Sequence, residues 1–325
     1  MLFGRAPAHA PALIVLFALA GGAEAAEVGG CAVFPEDNAW NVPVDTLPVH
    51  ERSADYVASI GAEDGLKADF GAGLYEGSPV GIPYVVVPAD QARVEIRFAE
   101  YDGEEPMASE SDPGPYPVPP DAPIEGGAEG TGDRHVIVVQ EGDCALYELY
   151  KAVPNADGSW NALSAARYDL VENLLRPSGW TSADAAGLPI LPGLARAEEV
   201  KAGAIRHALR FTAPRTGQAF VWPARHHASQ SDDPALPPLG QRFRLKADFD
   251  ISGFSPENQV ILKALQTYGM ILADNGSPWF VSGAPDEQWN NDDLAALREV
   301  KGSDFEAVDT SSMVSDLDSA AVIAP

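Results

Sequence analysis

Cations are scarce in this chain. Its 325 residues carry 21 lysines and arginines against 48 aspartates and glutamates, a formal charge of −27. A surface of that sign repels nucleic acid and anionic lipid, so a nucleic-acid partner is not expected. It disfavours a polyanionic substrate only weakly, because salt screens charges beyond about 8 Å. Cysteine is almost absent, with Cys31 and Cys144 alone, and neither has a second cysteine close in sequence to suggest zinc or thiol catalysis. There is no His-Glu-x-x-His spacing, no Gly-x-Ser-x-Gly around Ser182, and no internal repeat. The first two absences remove the common zinc-protease and serine-hydrolase signatures. Beyond the N-terminal segment no apolar run approaches the ~18 residues that a membrane helix needs, so membrane insertion is not expected either.

The N-terminal segment is apolar but short. Arg5 precedes "ALIVLFALA" at 12–20, and small residues follow at Ala23 and Ala25. That order predicts a secretory signal peptide over residues 1–25 and a secreted or periplasmic protein. In an oxidising compartment Cys31 and Cys144 are expected to form one disulfide tying the N-terminus to a central strand. Arg5 and Glu24 cancel, so the remainder keeps the full negative charge.

What the chain does have is proline and glycine, 28 and 30 residues spread throughout, with short apolar runs between them. This predicts a mainly β protein, a jelly-roll-like β-sandwich with two or three short helices, as a single domain over residues 26–310 followed by a flexible acidic tail at 311–325. Strands are expected at 81–87, 93–99, 135–140, 145–153, 205–213, 219–226, 241–249, 269–274 and 279–283. The clearest helix is "SPENQVILKALQTYG" at 255–269, with Ser255 to cap, Pro256 in the first turn and Gly269 to stop it. Val260, Ile261, Ala264, Leu265 and Tyr268 form its apolar face. Shorter helices are expected at 193–203 and 291–302.

Two stretches carry the chemistry. Residues 100–133 hold ten acids and no base. Within them Tyr116, Val118 and Ile124 alternate with prolines, which suits an ordered, site-forming loop. Next comes "HVIVVQEGDCALYELY" at 135–150. A tight turn at Gly142-Asp143 would pair Val139 with Leu146, Ile137 with Glu148 and His135 with Tyr150. His135, Glu148 and Tyr150 then share one face of a sheet. Val136, Val138, Tyr147 and Leu149 share the other, which reads as core.

A carboxyl among aromatics suits acid/base or nucleophilic work in glycoside hydrolysis. Glu148 is therefore the expected catalytic acid/base or nucleophile, with His135, Tyr150 and Asp121 as catalytic partners. Asp112, Glu125 and Asp169 are alternative sources of a second carboxylate. In "WPARHHAS", 222–229, an extended chain would point His226 and His227 to opposite faces. Arg225, His226, Trp180, Asp112 and Glu125 are expected to bind substrate. His135, His207 and one of His226 or His227 could converge on a metal, but no ligand spacing supports one. No cofactor is called for, and a structural calcium ion is compatible with the acidic loop. Asp274 and Asn275 in "ADNGS" are explained by turn chemistry.

The motifs "SDPGPYPVPPDAPIEGG", "GWTSADAAGLPILPG" and "WPARHHAS", with "FPEDNAWN", "GDRHVIVV", "LYELY", "HALRFT" and "YGMILADNG", resemble those of a group of secreted bacterial proteins. The resemblance covers most of residues 31–310 and implies one exported domain. It brings no activity and no catalytic residues. The expected function is a secreted carbohydrate-active enzyme, a glycoside hydrolase with a polysaccharide substrate. The alternatives are a polysaccharide lyase using His, Tyr and Arg, and a non-enzymatic carbohydrate-binding module.

Overall fold

The computed structural model describes residues 1, 26–75 and 77–323. Apart from Met1, the expected leader lies outside them. The described chain is β-rich, with short strands in several sheets and four short α-helices among the described residues.

The hairpin at the centre has the expected register. Val136–Gln140 and Ala145–Tyr150 run antiparallel, with Val139 opposite Leu146 and Ile137 opposite Glu148. Gly142 has φ +78°, the left-handed backbone that this tight turn requires. Ser164–Asp169 extends the sheet on one side and Tyr84–Val87 on the other, the latter in parallel. Alternation splits the hairpin between two cores. Val136, Val138, Tyr147 and Leu149 pack with Tyr116, Val118 and Trp160 on one face. Ile137, Val139 and Leu146 pack into the larger core on the other.

That larger core joins the hairpin to a six-stranded sheet. Its order is Phe305–Ala307, Arg242–Leu245, Met270–Asn275, Leu209–Ala213, Phe280–Ser282 and Lys67–Asp69. The core is filled by Leu209, Phe211, Phe243, Met270, Leu272 and Trp279, so the two main sheets are layered in sandwich fashion. A jelly roll is built from antiparallel Greek keys. Here Leu209–Ala213 runs parallel to Met270–Asn275 and Phe280–Ser282 parallel to Lys67–Asp69 in the six-stranded sheet, and Tyr84–Val87 runs parallel to Val136–Gln140 in the other, so both main sheets are mixed.

Helix Pro256–Thr267 forms where expected. Ser255 Oγ accepts a hydrogen bond from the Asn258 N–H, and Ile261, Ala264 and Leu265 are buried. Gly269 follows with φ +67°, where a Cβ would meet the Phe243 carbonyl at 2.1 Å. The other two expected helices shrink to Ala197–Ala202 and Asn291–Ala296. A helix at Ser53–Ile60 was not anticipated.

Two expectations fail. Residues 219–226 do not make a strand, because the chain turns at Trp222-Pro223 and the Ala224 N–H closes onto the Val221 carbonyl at 2.9 Å. The tail does not hang free through residue 323: Met313, Ala320 and Val322 are buried, and Trp222 Nε1 donates to the Ser319 carbonyl at 2.8 Å. A 3-10 turn forms at Leu191–Gly193. The Cys31–Cys144 disulfide is present, spanning 113 residues. No helix among the described residues is long and apolar enough to cross a membrane.

Candidate active site

Glu148 shares its face with Tyr150 as the register requires, but the face is covered. Glu148 is 0 % exposed. Its carboxyl accepts from Ile190 N–H at 2.9 and 3.0 Å and from Leu191 N–H at 3.0 Å. These amides open the 3-10 turn Leu191–Gly193 and have no partner within it, so the side chain caps it from across the core. Burial pushes the Glu148 pKa up to about 7 against those two backbone donors. The expected catalytic acid is thus sealed in the protein, because both faces of the hairpin are packed rather than one.

His135 is also buried, at 2 % exposed. Its Nε2 donates to the Ala183 carbonyl at 2.9 Å and its Nδ1 lies 2.6 Å from Glu125 Oε2. Burial works against the charged ring, but Glu125 outweighs it and raises the His135 pKa to about 9. The same pair holds the Glu125 carboxyl below its ordinary range despite burial. Tyr150 lies beside His135, with ring centroids 5.6 Å apart.

Tyr150 opens onto a cleft of about 380 Å³, lined also by Glu104, Asp133, Ala183, Asp184, His226 and Asp274. Three remote segments meet there: the end of the acidic loop, the 181–185 turn and the end of strand Met270–Asn275. Gly187 lets the turn approach residues 225–226. It has φ +69°, and a Cβ on it would meet the Trp180 carbonyl at 2.4 Å and Arg225 Cβ at 3.0 Å. In the strand a bulge puts Asp274, rather than Ala273, opposite Thr212. Bulges of this kind re-aim side chains beside sites.

The cleft floor is an ion-paired network. Arg210 grips Asp184 with two bonds, Nε to Oδ2 and Nη2 to Oδ1, both 2.8 Å. It also donates to Ser282 Oγ at 2.7 Å and reaches Asp274 Oδ2 at 3.3 Å. One guanidinium therefore serves two carboxyls, and Asp184, with 0 % side-chain exposure, holds it more closely. Burial, reinforced by repulsion from Asp184, pushes the Asp274 pKa up to about 7 against Arg210. Its other oxygen accepts the Asn275 N–H at 2.7 Å. His226 faces the same cleft with Nδ1 2.9 Å from the Ala185 carbonyl. A carbonyl only accepts, so Nδ1 carries the proton and Nε2 the lone pair of the neutral ring.

The remaining expected site residues lie elsewhere or are already engaged. Asp121 is exposed on its loop and does not line the cleft. Asp112 pairs with Arg176 and accepts the Arg167 N–H at 2.9 Å. Asp169 is exposed at the end of its strand, where it accepts the Val171 N–H at 3.0 Å. Trp180 is half-buried against Arg176, 5.6 Å from its ring. Arg225 is spent on the tail, with Nη2 2.6 Å from Asp318 Oδ1 and Nη1 on the Leu317 carbonyl.

The rings of His226 and His227 do not point to opposite faces. They stack at 5.7 Å and 6°, since no strand imposes alternation there. His207 bonds Glu199 and its neighbouring carbonyl, so the three histidines do not converge on a metal. Among the described residues the one metal-capable cluster is Glu125, Asp133 and His135.

Sequence reasoning missed Asp184, Arg210, Asp274, Asp133 and Glu104. Arg210 left one usable signal, a cation set between Leu209 and Phe211 inside an apolar strand, which demands a buried partner. No protein-family model, no curated protein and no solved structure matches this chain.

Proposed function

We propose that the protein is a secreted glycoside hydrolase acting on a neutral polysaccharide in this cleft, with Asp274 as its proton donor. The observation that carries the reading is the Asp274 carboxyl, which lines the cleft and whose pKa burial and the Asp184 charge push up to about 7. A general acid works best with a pKa near the working pH, and burial beside a second carboxylate is the usual way to reach it. His226 Nε2, with its tautomer set by Ala185, is placed to accept a proton from water. Tyr150 offers a hydroxyl to the sugar.

The acid would protonate the leaving oxygen of the glycosidic bond while the deprotonated water attacks the anomeric carbon. The cleft's charge favours this over lyase chemistry. A uronate carboxylate needs a free cation, whereas the cleft presents Glu104, Asp133 and Asp274 and its arginine is held by Asp184. A binding module would not require a proton donor of this kind. The test is incubation of the purified chain with a panel of neutral polysaccharides, following reducing ends. Asp274→Asn is expected to lower kcat by at least about 100-fold and to remove the fall in rate as pH rises through about 7. Equal turnover by parent and variant would refute the assignment.

A further inference from the structure

We propose that Glu125, Asp133 and His135 bind one divalent transition-metal ion of the zinc type, at the wall of the cleft. One donor atom from each residue lies within 4.8 Å of the others. Ligands held about 2.1 Å from a tetrahedral zinc-type ion lie roughly 3.4 Å apart, so side-chain adjustments of roughly 1 Å bring the set to that spacing, the His135–Glu125 pair opening from 2.6 Å.

A second feature, outside the cluster, concerns His135. Its Nε2–H is fixed on the Ala183 carbonyl at 2.9 Å. Metal-binding histidines characteristically donate their second ring N–H to a carbonyl or carboxylate, which fixes the tautomer and orients the ring. Here that bond turns Nδ1 toward Glu125, 2.6 Å away. The ion would take the place of the Nδ1 proton, which leaves to solvent, and two carboxylates would balance its charge.

The surroundings attract a cation. Asp274 and Glu104 line the same cleft. Arg210 is bound to Asp184, and Arg134, between Asp133 and His135, turns away to the carbonyls of Ala128, Gly130 and Ala152. Lys151, largely buried, reaches Asp133 at 3.5 Å and also donates to the Gly132 carbonyl at 3.0 Å, so the ion would take over Asp133 from a weak pair. The nitrogen donor separates this site from calcium and magnesium, which take oxygen ligands, and selects the zinc-type ions. Asp133 lines the cleft, so a bound ion sits beside any substrate. The site stands on its own geometry, apart from the hydrolase reading.

The test needs no substrate. Purified chain is stripped with EDTA, dialysed and titrated calorimetrically with ZnCl2, and separately with CaCl2. One saturable zinc equivalent is expected, with calcium at least about ten-fold weaker. Asp133→Asn and Glu125→Gln should each weaken zinc by at least about ten-fold. Glu104→Gln, in the same cleft but outside the cluster, removes a screened charge and not a ligand, and should weaken zinc by less than about three-fold. Melting curves in EDTA establish that each variant is folded. Absence of one-to-one binding up to about 1 mM ZnCl2, equal affinity in both ligand variants, or calcium binding as tightly as zinc would overturn the proposal.

Discussion

Replacing Glu148 with glutamine gives a sharp test of whether this carboxyl is structural. The side chain is fully buried and accepts two backbone N–H groups. Its pKa rises from the ordinary 4.5 to about 7. A carboxyl raised in the folded state stabilises that state fully below its unfolded pKa, and the contribution is lost as pH climbs to the folded value. At about 1.4 kcal/mol per pH unit, the stretch from 4.5 to about 7 weakens folding by about 3 kcal/mol. Glutamine resembles the protonated acid, with one acceptor oxygen and an NH2 donor in place of the hydroxyl, and cannot ionise. At pH 5 the variant should therefore lie within about 1 kcal/mol of the parent. At pH 8 it should be more stable by about 2–3 kcal/mol.

Urea denaturation at the two pH values, with m held equal, reads both numbers. Since Glu148 does not line the cleft, turnover should persist. A variant less stable than the parent at pH 8, or one that folds normally without turnover, would refute the structural reading.

Two other perturbations probe the same framework. Reducing the Cys31–Cys144 disulfide opens a loop of 113 residues and should cost on the order of 4 kcal/mol, read as a fall in melting temperature under reductant. Arg210→Met leaves the sealed Asp184 carboxylate without its partner and should destabilise folding by about 3–5 kcal/mol in urea melts. Adding Asp184→Asn to it should restore part of that loss.

The sequence carried local information well. The hairpin register followed from Gly142 and the apolar alternation around it, and the 255–269 helix followed from Ser255, Pro256 and Gly269. The disulfide followed from there being two cysteines in a chain for which an export signal was expected. The covering of Glu148 was not legible, since period-two alternation says which residues share a face but not whether a second layer packs on it. The cleft was hidden for a different reason. Asp184, Arg210 and Asp274 come from separate segments, and their meeting depends on a parallel pairing of strands that no local pattern encodes. Asp274 was assigned to turn chemistry, and one oxygen does serve it by accepting the Asn275 N–H. The other oxygen faces Arg210, which only the folded chain supplies.

The claim on which the account turns is that Asp274 keeps its proton near neutrality. Carboxyl carbon NMR across pH 3–9, with Asp274→Asn to assign the resonance, measures this without a substrate. An apparent pKa of about 7 is the value the cleft's burial and the Asp184 charge predict. Titration in the ordinary aspartate range, near 3.8, would contradict the proton-donor role.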